Sequence, residues 1–198
     1  MTTTPPGSRK PIIVTWQGTN RTSLESVRLF VSDGRLRASG RLIVADDAAP
    51  YSASFEFTAA RSGNVGRGLL RTTAADTERS ISVGRTEDGI WLIDDGNGAT
   101  ARNEFEGAVD VDVAGTITFT ALPIRRLGLH RKRTEVELPV LYVSMPDLAI
   151  SLVRQTYRTV SITDDGAVIN YQDAHRNVDI VVDKNGLPVT FPDVAQRL

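Results

Sequence analysis

Hydrophobic and polar residues alternate along much of the chain, at the two-residue period of a strand with one buried face. The clearest case is 51–58 (YSASFEFT), where apolar and polar residues take strict turns. The segment 109–113 (VDVDV) alternates valine with aspartate in the same way. Six Asp-Gly or Asn-Gly dipeptides separate such segments, and these pairs favour tight hairpin turns. No segment has a sustained 3.6-residue period.

These patterns predict an all-β fold: a single large antiparallel curved sheet that forms a barrel or half-barrel, with at most one or two short helices. Residues 1–10 predict a flexible N-terminal tail, and 11–198 predict a single β-barrel-like domain. The segment 148–160 favours a strand, but its apolar residues also fit a helical stripe, so a short helix is the alternative.

The densest polar chemistry lies in 104–127 (EFEGAVDVDVAGTITFTALPIRRL). Its first part is expected to form one alternating strand, which places Asp110 and Asp112 on the same face. Arg125 and Arg126 follow Pro123 and would point to opposite sides of an extended segment.

Two interpretations of these charged residues stay open. An inward arginine needs a partner because a buried unpaired charge is costly, so Arg125 or Arg126 could form a structural latch with Asp110 or Asp112. The same guanidinium could instead hold a phosphate, a carboxylate or a sugar. Asp110 and Asp112 could also serve as acid and base in a hydrolase, although any acidic strand face offers the same spacing.

Aromatic residues could line a cavity, and Trp91 and Tyr142 are the candidates because amphipathic rings suit sugars and lipid headgroups. The basic cluster 131–133 is expected to be a solvated loop, since it lacks the interleaved aromatic residues of a single-strand nucleic-acid binder.

Composition excludes several classes of protein. The chain has 198 residues and a net charge of −1, which predicts no general attraction to nucleic acid or anionic membranes, so such a role would need a local patch. It has no cysteine, and we expect its two histidines, His130 and His175, to be ordinary surface residues. We therefore expect no metal and no cofactor. A run of about 18 apolar residues and a secretory signal are both absent, so we expect a cytoplasmic protein without a membrane span.

The sequence resembles a bacterial family described as "putative glycolipid-binding", which is otherwise a domain of unknown function. The most specific match is 122–127 (LPIRRL), preceded by 110–113 (DVDV). Weaker matches occur on both sides of this motif, in the same order as in the family: Trp16, 88–91 (DGIW), 140–143 (VLYV), 146–148 (PDL), Tyr157 and 182–187 (VDKNGL). The segment 116–121 (TITFTA) departs from the family, which usually has a proline and an asparagine there.

The resemblance implies a curved, barrel-like antiparallel sheet similar to bacterial carriers of lipids or lipoproteins. Our leading hypothesis is a non-enzymatic protein that binds a lipid or glycolipid in an apolar cavity. Arg125 or Arg126 would orient the headgroup, with Asp110, Asp112, Trp91 and Tyr142 nearby. The alternatives are a carbohydrate- or ester-acting hydrolase that uses Asp110 and Asp112, and a structural or assembly protein. The sequence leaves the ligand and the oligomeric state open.

Overall fold

The computed structural model describes residues 11–32, 35–59 and 65–198. The predicted N-terminal tail and the Asp33-Gly34 turn lie outside the described residues. Within these ranges the chain forms fifteen strands and one α-helix: β1 (Ile12–Gly18), β2 (Ser23–Ser32), β3 (Arg35–Val44), β4 (Tyr51–Ala59), β5 (Val65–Ala74), β6 (Glu78–Arg85), β7 (Trp91–Asp94), β8 (Thr100–Asn103), β9 (Asp110–Val113), α1 (Ala121–Arg126), β10 (Glu135–Val143), β11 (Ile150–Thr163), β12 (Gly166–Gln172), β13 (Asn177–Asp183), β14 (Pro188–Phe191) and β15 (Ala195–Arg197).

The fifteen strands belong to one sheet, in the order β8-β7-β6-β5-β4-β3-β2-β1-β15-β14-β13-β12-β11-β10-β9. It consists of two antiparallel meanders, β1 to β8 and β10 to β15, which are joined where β1 pairs antiparallel with β15. The two outer strands, β8 and β9, do not pair with each other, so the sheet is curved without closing into a barrel. The all-β prediction is therefore confirmed, in its half-barrel form.

The strand β9 departs from the prediction in two ways. It pairs parallel with β10, whereas we expected only antiparallel neighbours. It also begins at Asp110 and not at residue 104, because Phe105–Gly107 forms a 3-10 turn. Phe105 and Glu106 have φ angles of 43° and 51°, which a strand cannot accommodate. This turn carries the chain from the edge strand β8 to the opposite edge strand β9.

The segment that contains the LPIRRL motif forms neither a strand nor part of the sheet. Its residues 122–126 lie in α1, so the expectation of an extended segment with Arg125 and Arg126 on opposite sides is wrong. By contrast, 148–160 falls mainly within the long strand β11, and the helical alternative for that segment is wrong.

Residues 116–124, which we call the interior segment, are all buried and fill the concave side of the sheet. Phe119 packs at its centre, with ring centroids 5.2 Å from Phe55 and 4.6 Å from Phe57 on β4. Ile124 and Leu129 are fully buried in the same core. We expected an apolar cavity enclosed by the sheet; the interior segment occupies that region.

Candidate functional site

Asp110 and Arg126 form a buried ion pair between β9 and α1. The Arg126 Nη2 lies 2.5 Å from the Asp110 Oδ2, and the Nε lies 3.2 Å from both carboxylate oxygens. The Asp110 side chain is 1% exposed and the Arg126 side chain is 13% exposed. Burial raises the pKa of Asp110, while the hydrogen bonds and charge of Arg126 oppose that rise. The guanidinium fork is thus engaged by a carboxylate of the protein itself.

Asp112, two residues further along β9, begins a polar chain that leads into the core. Its Oδ2 accepts a hydrogen bond of 2.6 Å from the Gln155 amide, and its Oδ1 accepts one of 2.9 Å from the Val113 N–H. The Gln155 Oε1 in turn accepts a hydrogen bond of 2.8 Å from the Tyr157 hydroxyl. Burial raises the pKa of Asp112, and the hydrogen bond from Gln155 opposes this effect.

A second acidic group, Asp173, is held in the turn between β12 and β13. Its Oδ2 accepts a hydrogen bond of 2.9 Å from the Tyr171 hydroxyl, and its Oδ1 accepts the N–H groups of His175 and Arg176 at 2.7 and 2.9 Å. The Arg176 Nε lies 3.6 Å from the Asp173 Oδ2, and the guanidinium lies over the Phe191 ring. These contacts fix the turn with its charged groups in place.

Both acidic groups line one cavity of about 590 Å³, which we call the Asp112 cavity. Its walls come from the end of β9 and the residues 114–120 that follow it, from β10, β11, β12 and β14, and from the 173–176 turn. Polar and aromatic side chains share the lining, among them Asp112, Tyr142, Gln155, Tyr171, Asp173, Arg176 and Phe191. Carboxylates, an amide, phenols and a guanidinium therefore converge on one space, next to aromatic rings.

Two of the six candidate site residues, Asp112 and Tyr142, line this cavity. Asp110 and Arg126 form the ion pair beside it, and Arg125 donates a hydrogen bond to the backbone carbonyl of Asn185. Trp91 is fully buried, and its indole N–H donates to the Ala108 carbonyl at 2.8 Å. The six residues are therefore not brought together in one site.

Sequence reasoning missed Gln155, Asp173 and Arg176. A signal existed for Gln155, because it lies in phase with the buried Tyr157 on β11 and therefore points inward. Asp173 and Arg176 lie in a turn, where charged residues are common, so nothing in the sequence distinguished them.

Glu25 is another inward-facing polar residue that the sequence did not single out. It lies in phase with the buried Val27 and Leu29 on β2 and is 2% exposed. Its carboxylate accepts hydrogen bonds from the N–H groups of Ile117 and Thr118 at 2.5 and 3.2 Å, and from the Thr118 hydroxyl at 2.5 Å. Burial raises its pKa to about 7, against the opposing effect of these hydrogen bonds. Glu25 thus anchors the interior segment, whose backbone has no sheet partner at this point.

His130 is buried, so the expectation of a surface residue is wrong for it. Its Nδ1 lies 3.4 Å from the Ile124 carbonyl, and its Nε2 has no hydrogen-bond partner among the described residues. Burial lowers its pKa, which favours the neutral ring. Gly186 lies against this ring: a Cβ there would come within 2.8 Å of the His130 Nδ1. The glycine of the Asn185-Gly186 turn is needed for packing as well as for its φ of 73°.

Within the described part of the chain, no three His, Cys, Asp or Glu side chains are grouped so that they could hold a metal ion. No helix in the same ranges is long and apolar enough to cross a membrane.

A family model described as "Putative glycolipid-binding" matches residues 13–197, nearly the whole chain. The chain belongs to this family. The resemblance that the LPIRRL motif suggested is thereby confirmed. A search of curated proteins found no match.

Two solved structures have similar folds. One is a crystal structure of a DUF1089 family protein from Pseudomonas aeruginosa, with 22% identity and a TM-score of 0.73; the match covers 91% of this chain and 94% of that one. The other is a β-barrel-like protein of the DUF1849 family from Brucella abortus, with 11% identity and a TM-score of 0.53 over 94% and 93% of the two chains. At these identities the likeness concerns the fold alone.

Proposed function

We propose that this member of the glycolipid-binding family binds a lipid or glycolipid, with the polar headgroup in the Asp112 cavity. The observation that carries the proposal is the meeting of aromatic rings with fixed hydrogen-bonding groups in one cavity of about 590 Å³. Ligand cavities in proteins typically measure roughly 300–1,000 Å³. A sugar ring offers apolar C–H faces to aromatic side chains and hydroxyls to carboxylates and amides, and this lining offers both.

Each polar group has a distinct part in this proposal. Asp112 and Asp173 accept hydrogen bonds from headgroup hydroxyls, since each is already held by donors of the protein that fix its position. Arg176 lies at the same cavity and supplies a positive charge for a phosphate or carboxylate on the headgroup. Asp110 and Arg126 would support β9 from behind, because their charges already satisfy each other.

Native mass spectrometry of freshly purified protein, before and after exposure to a lipid extract, tests whether an amphiphile is bound at all. Calorimetric titration with octyl glucoside then tests the headgroup site. Asp112→Asn should weaken this binding about ten-fold or more, because a hydrogen bond to a charged group is worth about 1.5–3 kcal/mol. Asp164→Asn, at an exposed hairpin residue, is the matched control and should leave binding unchanged.

A clean unliganded mass, no uptake from the extract and no octyl glucoside binding would together refute the proposal. If Asp112→Asn and Asp164→Asn bind octyl glucoside equally well, an amphiphile is bound elsewhere.

A hydrolase is the second candidate function, with a different pair of carboxylates from the one that the sequence suggested. The pair Asp110 and Asp112 does not favour it, because Asp110 is engaged by Arg126 and does not line the cavity. Asp112 and Asp173 line the cavity together, and the charge of Asp173 adds to the effect of burial in raising the pKa of Asp112. Turnover of nitrophenyl glycosides or esters that is lost in both Asp112→Asn and Asp173→Asn would favour this candidate. An assembly role stays a prediction, which light scattering on a size-exclusion column tests.

A further inference from the structure

Five arginines project from the outer face of the sheet across β2, β3 and β5: Arg28, Arg37, Arg41, Arg67 and Arg71. All five are exposed. Their orientation follows from strand alternation. On β2, for example, Arg28 lies between the buried Val27 and Leu29. We call this surface, together with the outward residues of β1 and β4, the arginine face.

Strand register spreads these arginines over the face. Arg41 and Arg71 both lie opposite Ser54 of β4, and Arg37 and Arg67 both lie opposite Thr58. Two arginines that share such a neighbour are two strands apart, or about 10 Å. Along a strand, the four-residue step from Arg37 to Arg41 spans about 13 Å. The charges are thus spread over the face, with Ser39, Glu56 and Leu69 side by side between the two rows of arginines.

The charge of the arginine face is not neutralised by the protein. Glu56 is the one acidic residue that points outward from β2 to β5 among the residues described there. None of the five arginines forms an ion pair with a described carboxylate; the arginines that do so are Arg126, Arg154, Arg176 and Arg197. A chain with a net charge of −1 therefore carries a strongly positive surface. This surface is the local patch that the overall charge alone did not predict.

The same face exposes aliphatic side chains beside the arginines. Ile13 is 74% exposed and lies directly opposite Arg28 in the β1–β2 register. Ile43, 52% exposed, lies opposite Leu24, 40% exposed. A depression of about 390 Å³ on this face is lined by residues that include Ile13, Arg28, Arg41, Arg71 and the acidic Glu56. Basic and aliphatic side chains on one face match a membrane surface, where phosphates overlie the acyl chains.

We propose that the arginine face docks this protein on a membrane that contains anionic phospholipids. The arginines would bind lipid phosphates through their guanidinium forks, while Ile13, Leu24 and Ile43 contact the acyl boundary. A nucleic acid also carries phosphates, but single strands bind to surfaces with aromatic rings for base stacking. The outward positions described on β1 to β5 offer one such ring, the partly buried Phe30. The inference rests on this surface and does not depend on the Asp112 cavity.

Vesicle flotation of the full chain tests the docking directly. We expect binding to vesicles of phosphatidylcholine with phosphatidylserine, and weak or no binding to phosphatidylcholine alone. Raising the salt from about 0.1 M to about 1 M shortens the screening length from about 10 Å to about 3 Å and should release most of the protein. Each arginine near an anionic surface contributes about five-fold in affinity, so Arg28→Ser, Arg41→Ser and Arg71→Ser combined should weaken binding about a hundredfold.

The matched control removes three exposed arginines elsewhere on the molecule: Arg102→Ser, Arg131→Ser and Arg158→Ser combined. It changes the net charge equally and should float like the parent protein. A third variant, Ile13→Ser with Ile43→Ser, should lose binding already at about 0.1 M salt although its arginines are intact, because it removes the contact with the acyl boundary. All exchanged side chains are exposed, and thermal melts followed by circular dichroism verify folding.

Three outcomes would overturn the proposal. The first is that the parent protein does not float with the phosphatidylserine vesicles. The second is that the control variant loses as much binding as the arginine-face variant. The third is that binding of a single-stranded oligonucleotide requires Arg28, Arg41 and Arg71 while vesicle binding does not, which would make the face a nucleic-acid surface.

Discussion

Two nitrogens of Arg126, Nε and Nη2, donate hydrogen bonds to the Asp110 carboxylate, and this contact ties α1 to the edge strand β9. The carboxylate is 1% exposed and the guanidinium side chain 13%, so water replaces neither partner if one is removed. Breaking such a pair leaves one buried charge without compensation.

We therefore expect Arg126→Met to lower the free energy of unfolding by about 3–5 kcal/mol. Asp110→Asn added to it should recover part of the loss, because it removes the stranded charge. Urea unfolding of the two single variants and the double variant gives the coupling energy. Arg154 is the comparison, because it pairs with Glu106 and Glu137 and all three side chains are more than half exposed. Arg154→Met should therefore cost about 1 kcal/mol or less. If the losses of unfolding free energy in the two single variants simply add in the double variant, the two side chains do not stabilise each other.

Glu25 makes the stability of the protein depend on pH. Its pKa is about 7 in the folded protein and 4.5 for an ordinary glutamate, so the folded state binds the proton more tightly. Folding therefore takes up a proton between these two pH values, and stability falls as pH rises from about 4.5 to about 7, then levels off. The fall amounts to roughly 3 kcal/mol at 1.4 kcal/mol per pKa unit.

Glu25→Gln cannot titrate and should lack this part of the pH dependence. Subtracting its unfolding free energy from that of the parent protein, pH by pH, largely removes the contributions of Asp110 and Asp112, whose pKa values burial also raises. A difference that stays constant between pH 4.5 and 8 would mean that Glu25 is charged in the folded protein throughout.

Phe119 should be among the most costly residues to truncate, because it fills the space between the interior segment and β4. We expect Phe119→Ala to cost about 3–5 kcal/mol in chemical denaturation. Phe30→Ala, on the outer face and only partly buried, should cost markedly less. Similar losses for both would show that the interior segment contributes little to the packed core.

Gln155 joins Asp112 to Tyr157, so its loss strands two buried polar groups. We expect Gln155→Leu to destabilise the protein by about 2–4 kcal/mol, since each unsatisfied buried group costs about 1–3 kcal/mol. The exposed Gln172 on β12 is the control, and Gln172→Leu should change stability by about 0.5 kcal/mol or less. If both variants melt alike, the chain from Asp112 to the core does not contribute to stability.

The sheet could be predicted because several of its longer strands each alternate buried and exposed residues, as β4 does. Tyr51 and Phe55 face the core on β4, as the pattern of 51–58 indicates. The proximity of Asp110 to an arginine followed from the cost of a buried charge. The helix α1 could not be found in this way: Ile117, Phe119 and Ala121 alternate with threonines at the period of a strand. All of 116–124 is nevertheless buried, so no polar face marks where the helix begins.

Other features depend on pairings between segments that are distant in sequence. The parallel pairing of β9 with β10 depends on the turn at 105–107. No local sequence motif predicts the positive φ angles of Phe105 and Glu106 in that turn. The arginine face likewise appears only when register places Arg41 and Arg71 on either side of Ser54. The Asp112 cavity also depends on such a pairing, because Asp173 reaches it from the turn between β12 and β13. Gln155 and Glu25 are different, because their phase with buried neighbours was readable from the sequence.

The joining of β1 to β15 has a consequence for folding. The two strands come from opposite ends of the described chain, and the Trp16 indole donates to the Pro188 carbonyl, 172 residues away. Each meander can assemble from neighbouring hairpins. The pairing of β1 with β15 joins residues that are far apart in sequence, and such contacts form slowly. We expect the two halves to form first and the union at Trp16 to be the late step, so that a partly folded chain exposes the edge of β1 to other molecules.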